Sequence, residues 1–364
     1  MLKTILISTL LASPAFAWNA QYVVDAPVRW HSDTNTVGFK MQISSFPAGS
    51  PFRAGVLQAV DLLNQNPSNI RIRINPDTEW VSAGNGQNEI WFTDNSIVNQ
   101  GAPAICLFHF NPWAFGVWNL MEADVVFNPA ETYTGSRTAP DTWAFNGNFR
   151  PIQTTALHEL GHALGMHHEN RIYNIMGEDW THVNMNGTSL LPSRGEDIGV
   201  GLIRLYGAHP TVLPDVGVSL FKYDIADGEY SRHQRTAFVG TGVEAFMGDA
   251  ADPDPNQLVF RVNAGQVISP EFMFENNGRD SIPSLATRFV LSNNRAITTL
   301  DRQLHEQNVR FTLDRPLRQG FLIRIPEGLP SGSRWYLGVI VDSHNTLREQ
   351  DKRNNATYIP IQIR

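Results

Sequence analysis

Two apolar rhythms divide the 364-residue chain. In the first part, helical and strand-like periods alternate. Residues 37–43 suit a first strand, and Phe52, Val56, Val60 and Leu63 then recur at helical spacing until Asn66-Pro67 stops the run. Residues 70–74 alternate as a second strand, and 89–93, 104–110 and 123–127 continue the series. Ile152, Ala156, Leu157, Leu160, Ala163 and Leu164 then mark the apolar side of another helix. The simplest assembly is α/β (α+β): a mixed sheet backed by about three helices. From residue 216 the rhythm changes to short β-rich runs at 257–262, 271–274, 287–292, 321–325, 335–341 and 358–363, separated by Asn, Gly, Asp and Pro. No long helical period competes, so this part reads as an all-β, antiparallel sandwich of immunoglobulin-like type. Residues 209–215, which include Pro210 and Pro214, read as the linker.

The helix near residue 158 also carries chemistry on its polar side. His158-Glu159-Leu160-Gly161-His162 continues through Gly165 to His168, which is H-E-x-x-H-x-x-G-x-x-H spacing. Residues four apart lie nearly on one helix face, so His158 and His162 can bind one tetrahedral ion. Glu159 projects beside that face and can reach a water on the metal without becoming a ligand. Gly165 can adopt positive φ and swing the chain back, which brings His168 to a third position. Three protein ligands leave a fourth place for water, the mark of a catalytic rather than a closed structural zinc. The plain alternative is an amphipathic helix with solvated histidines, but five matched positions weigh against it. His167 adjoins the third ligand, and spacing from His162 favours His168.

This motif resembles that of the metzincin zinc metalloproteases. Tyr173-Asn174-Ile175-Met176-Gly177 looks like their Met-turn, whose methionine forms an apolar floor under the ligands. The short gap from His168 to Met176 resembles the matrixin-like branch. Residues 122–128 look like the strand before its active-site helix, and 197–207 like the helix that closes its catalytic domain. The resemblance covers about residues 28–208 and implies a secreted zinc endopeptidase. In it His158, His162 and His168 hold Zn2+, and Glu159 is the general base towards a peptide bond. It also implies that the region 181–194 lines the pocket for the residue after the cut bond. Two departures stand out: Glu169 directly follows the third histidine, as in astacins, and Glu178 stands where a tyrosine commonly follows the Met-turn. Residues 274–278, 341–345 and 349–355 resemble turn motifs of CARDB-like modules, which implies a protein or glycan ligand for the sandwich.

Composition narrows the setting. Lys3, a short apolar run and Ala15-Phe16-Ala17 read as a signal peptide over residues 1–17. The lead segment 18–29 follows, then a catalytic domain over 30–208 and the sandwich over 216–364. No run is long enough to span a bilayer. The expected location is extracellular, with the periplasm left open. With 28 basic and 35 acidic side chains the formal charge is −7, which argues for solubility and against nucleic acid or anionic membrane as the main partner; protein or peptide substrates are what the metzincin resemblance implies. The single cysteine, Cys106, allows no intramolecular disulfide and reads as a buried strand residue rather than a zinc-capping thiol. Asp25 is a weak candidate for a carboxylate latch, the acidic stretch 248–254 a weak candidate for Ca2+, and Asn186-Gly187-Thr188 matches a glycosylation sequon. Residues 104–110 are expected to be an edge strand that pairs with extended substrate. The competing reading is an exported adhesin or binding protein with an idle zinc fold, against which Glu159 speaks.

Overall fold

The computed structural model describes residues 20–23, 26–31, 33–113, 117–240 and 242–364. The expected leader and Asp25 lie outside the described residues. In the first half the strands are β1 (Tyr22–Val23), β2 (Ala26–Arg29), β3 (Thr36–Met41), β4 (Arg71–Ile74), β5 (Glu89–Phe92), β6 (Ala104–Trp113) and β7 (Val117–Phe127). They form one sheet in the order β1-β2-β7-β5-β3-β4, with β6 beside β7. The central pairs β2–β7, β5–β7, β3–β5 and β3–β4 are parallel, while β6 runs antiparallel to β7. Among the described residues β6 pairs with no other strand, so it is a sheet edge. Val125, Val126 and Phe127 are all buried, as expected for a central strand covered on both faces.

Helix α1 (Pro51–Leu63) starts where Ser50 accepts the Arg53 N–H at 3.1 Å and Pro51 occupies the first turn. It packs on α3 (Ile152–Ala163), with Gly55 at the contact: a Cβ there would lie 2.5 Å from Ile152 Cγ2. A one-turn helix, α2 (Ser96–Asn99), and α4 (Gly195–Tyr206) complete the α-helices among the described residues of this half, with short strand pairs β8 (Tyr133–Thr134)–β9 (Arg150–Pro151) and β10 (Val183–Met185)–β11 (Leu190–Pro192). Helix α3 departs from a plain amphipathic pattern. Gln153, Thr154, Thr155, His158 and Glu159 are buried along with its apolar side. Its last carbonyls are satisfied from afar, Ala163 O by Trp30 Nε1 at 2.8 Å and Leu164 O by the Tyr206 hydroxyl at 2.7 Å.

The second half is all β. Its strands are β12 (Val216–Ser219), β13 (Phe221–Asp227), β14 (Tyr230–Arg235), β15 (Glu244–Met247), β16 (Leu258–Val262), β17 (Val267–Ile268), β18 (Glu271–Asn276), β19 (Ile282–Ser292), β20 (Arg302–Phe311), β21 (Leu317–Gly320), β22 (Ile323–Arg324), β23 (Arg334–Val341) and β24 (Ala356–Ile363). A three-stranded sheet, β12-β18-β21, and a six-stranded sheet, β15-β16-β24-β23-β19-β20, enclose a core that includes Phe272, Phe274, Phe289, Val339 and Ile361. The sandwich is not purely antiparallel, because β16 and β24 pair in parallel. Strand β20 escapes the apolar pattern because Arg302, Gln303, His305, Glu306 and Gln307 crowd its sequence.

The two halves meet in a packed seam. A third apolar cluster joins Tyr173, Val183, Met185 and Leu190 to Phe221, Met273, Tyr336 and Tyr358. Polar contacts reinforce it: Arg194 donates to Asp215 at 2.9 Å and to Asn277 O at 2.7 Å, and Thr357 donates to Met185 O at 2.8 Å. Residues that read as a linker are themselves held, since Arg279 donates to His209 O and Pro210 O, both at 3.0 Å.

Candidate metal centre and cleft

Helix geometry stacks His158 and His162 one turn apart, and Gly165 then reverses the chain at φ +93°. No other residue fits there easily, because a Cβ would sit 2.5 Å from Val28 O. The reversal brings His168 round to face the helix. His162 Nε2 lies 3.1 Å from His158 Nε2 and 3.0 Å from His168 Nε2. Two of the opposite ring nitrogens are committed: His158 Nδ1–H donates to Ile175 O at 2.8 Å and His162 Nδ1–H to Met166 O at 2.9 Å. Those bonds select the tautomer that leaves Nε2 as a lone-pair donor. The lone pairs of His158 and His162, 3.1 Å apart, repel unless a cation lies between them. Spacings near 3 Å match imidazoles gathered round a tetrahedral ion with ~2.0–2.1 Å bonds. Burial holds His158 below the usual imidazole range, and burial with the neighbouring histidines holds His162 and His168 well below it. The donor set therefore fits zinc. It is the one group of three metal-ligating side chains among the described residues.

Below the triad lies Met176, fully buried, with its sulfur 2.7 Å from where a Cβ on Gly161 would stand. That contact explains why the helix carries glycine between its two histidines. The Met176 N–H donates to Asp197 Oδ2 at 3.0 Å, which ties the loop to the first turn of α4. Glu169 closes the loop after His168, accepting from Arg171 N at 2.8 Å and Nε at 2.7 Å. Glu178 accepts His233 N–H at 2.6 Å and the Thr181 hydroxyl at 2.9 Å. His167 stacks on His168 with centroids 5.4 Å apart and stays outside the converging nitrogens.

Glu159 is buried and opens onto a cavity of about 330 Å³ that also takes in His158, Ala104 at the start of β6, Arg150, the segment 177–180, Asp227 and residues 230–232. Burial first, and then the Asp179 carboxylate, push its carboxyl up to about 8, with Arg150 working in the opposite direction. A divalent cation in the triad acts on Glu159 as Arg150 does. Asp179 itself is held below the usual carboxylate range: burial opposes this, but Arg150 at 2.5 Å and the Thr155 hydroxyl at 2.6 Å prevail. A second hollow, about 230 Å³, lies at the seam around Arg194 and Asp215 and touches none of these groups, so the chemistry belongs to the first.

Several expected features sit differently. Most of the region 181–194 does not line the cleft: Val183, Met185 and Leu190 are spent on the seam, and Asn184 reaches Asn354 O at 3.1 Å. Asn186 of the sequon exchanges two hydrogen bonds with the Ile297 backbone, at 3.1 and 2.7 Å. In the acidic stretch, Asp254 pairs with Arg295 at 3.0 Å and Asp252 with Arg334, so both carboxylates have cationic partners inside the protein. Cys106 is buried in β6, its thiol pushed up by burial and then by Glu159. Asp179, Arg150 and the β13–β14 hairpin escaped sequence reasoning. Asp179 stands two residues after the Met176-Gly177 turn, a faint signal, whereas nothing in the sequence placed the hairpin at the cleft.

No family model and no curated protein matches the chain. Among solved structures it is similar to the CARDB domain of a Pyrococcus furiosus protein in complex with di-metal ions. The identity is 14%, the match covers 42% of this chain and 90% of that one, and the TM-score is 0.25. The solution structure of that domain gives 13% identity, 42% and 95% coverage, and a TM-score of 0.25. Overlaps of that size decide neither fold nor function, which rest on the chain's own topology and side chains. No helix among the described residues is long and apolar enough to cross a membrane.

Proposed function

We propose that the chain is an exported, metzincin-like zinc endopeptidase acting on protein or peptide substrates. The observation that carries this reading is the convergence of three histidine Nε2 atoms beside a buried carboxylate at the end of a sheet edge. Zn2+, when bound, supplies Lewis acidity for a water and for a peptide carbonyl. The residues do the rest. Strand β6 offers its unpaired backbone edge to an extended peptide, a β-augmentation that lays the scissile bond along the cleft. Glu159 takes the proton of the attacking water and returns it to the departing amine. Arg150 and Asp179, paired beside Glu159, keep the cleft floor polar and fixed. Export is supported by the leader-like residues 1–17.

The test is cleavage of casein by the purified chain, its loss with a chelator and its return with Zn2+. Glu159→Gln should keep zinc while activity falls by roughly 10²–10⁴-fold. Full activity in that variant would overturn the mechanism. Tight zinc without any cleavage would favour a binding protein with an idle site.

A further inference from the structure

The three ligands are not held alike. His158 and His162 stand on α3, each fixed by a hydrogen bond from Nδ1 to a backbone carbonyl of the same half. His168 stands beyond the Gly165 reversal, in a stretch without regular secondary structure. Among the described residues, Glu229 of the other half of the chain brings its Oε2 to 3.5 Å from the His168 Nδ1, at the tip of the β13–β14 hairpin. The next residue, Tyr230, lays its ring against the His168 imidazole, with centroids 4.2 Å apart and planes 40° off parallel.

The hairpin is seated firmly enough to act on its neighbour. Ser231 presses on the Met176-Gly177 turn so closely that a Cβ on Gly177 would fall 1.8 Å from its Oγ. One residue pair further along β14, His233 N–H is anchored to Glu178 at 2.6 Å. At the tip, Asn170 donates to Gly228 O. These contacts grip the loop around His168 from both sides.

We propose that the β13–β14 hairpin of the sandwich half is part of the metal centre, with Glu229 and Tyr230 as positioning residues that hold His168 in its ligating orientation. The inference rests on the zinc reading of the triad and does not depend on peptidase activity. An outer carboxylate facing the distal nitrogen of a metal-bound imidazole fixes the tautomer and strengthens the ligand. The Tyr230 ring adds a lateral stop that a backbone carbonyl could not supply. In this arrangement the three candidate ligands stand in the first half, and the second half adds a carboxylate and a ring beside one of them.

The test uses the full chain stripped of metal and titrated with Zn2+ against a chromophoric chelator. The double variant Glu229→Ala, Tyr230→Ala should weaken zinc about 10–100-fold. Glu229→Gln, which keeps an acceptor oxygen but not the charge, should lose less, though at least about threefold. Melting of the metal-free protein should be unchanged in Glu229→Gln, and the visible spectrum of the Co2+-loaded protein should shift. A merely structural role would move the first and not the second. Zinc affinity within twofold of wild type in both variants overturns the inference, and if the double variant does not fold, Glu229→Gln decides. Wild type that takes up no zinc overturns the metal reading as well. Wild type that binds zinc but leaves casein intact overturns only the peptidase reading.

Discussion

Two groups of largely buried histidines contact the segment 173–182, and only one of them looks like a metal centre. In the triad of His158, His162 and His168, the Nε2 atoms face one another, and the Nδ1 atoms of His158 and His162 are held by backbone carbonyls. In the seam, His182 and His233 have a use for both nitrogens. His182 reaches Glu275 at 3.0 Å and Ser193 O at 3.1 Å, and His233 reaches the Thr181 and Ser231 hydroxyls, both at 3.0 Å. Tyr173 packs its ring against each of these two imidazoles, at 4.5 and 4.6 Å. Burial is similar in the two groups, so burial does not separate a ligand from a structural histidine. The destination of the second nitrogen does. Where hydrogen bonds satisfy both, the ring is a strut; where one is left aimed at others of its kind, the fold has made room for a cation.

The comparison breaks most decisively at His162, whose Nε2 is close to both other ligands. His162→Ala should weaken zinc by more than the roughly hundredfold ceiling for loss of an outer partner, while the chain still folds. Zinc competition checks this, and an affinity near wild type would dissolve the distinction between the groups. His182→Ala should do the reverse. It leaves Glu275 buried without its partner and should cost about 3–5 kcal/mol in urea denaturation with zinc affinity unchanged. Loss of zinc in that variant would show the two groups to be coupled.

A smaller effect is expected at Gly165. Gly165→Ala forces a Cβ towards Val28 O at positive φ and should destabilise by roughly 1–3 kcal/mol, with some loss of zinc because His168 shifts. The smallest effect concerns pH. Burial lowers the His182 value, but Glu275 outweighs it, so the folded value lies above the ordinary one of about 6.5. The stabilisation is then full below about pH 6.5 and fades as pH rises through the folded value. Denaturation curves of wild type and His182→Gln should therefore converge on the alkaline side. A constant gap between them across that range would contradict the sign.

Much of the site was legible in the chain because it is local. His158, Glu159 and His162 are related by helix geometry alone, and Gly165 announces a reversal that a side chain would resist. The mixed sheet followed from apolar periodicity for the same reason: β5, β6 and β7 are apolar runs bounded by turns. What failed to show was polar or distant. Strand β20 was hidden by its solvent-facing charges. The region 181–194 looked free to line a pocket, but its apolar residues are claimed by the seam. The burial of the polar side of α3, with Gln153, Thr154 and Thr155, depends on contacts that helical periodicity does not encode.

The sequence by itself determined the histidine triad, the carboxylate beside it and the change from a mixed α and β rhythm to an all-β one, since each depends on residues within a few turns of one another. Only the tertiary structure decided that the two halves share a core and that a hairpin from the second reaches the histidine triad of the first. Glu229 lies 61 positions after His168 in the chain, and no periodicity encodes that approach. It arises from the burial of Tyr173, Met185, Phe221 and Tyr358 in one apolar cluster, which fixes the sandwich against the helix layer and leaves the hairpin tip over the third histidine.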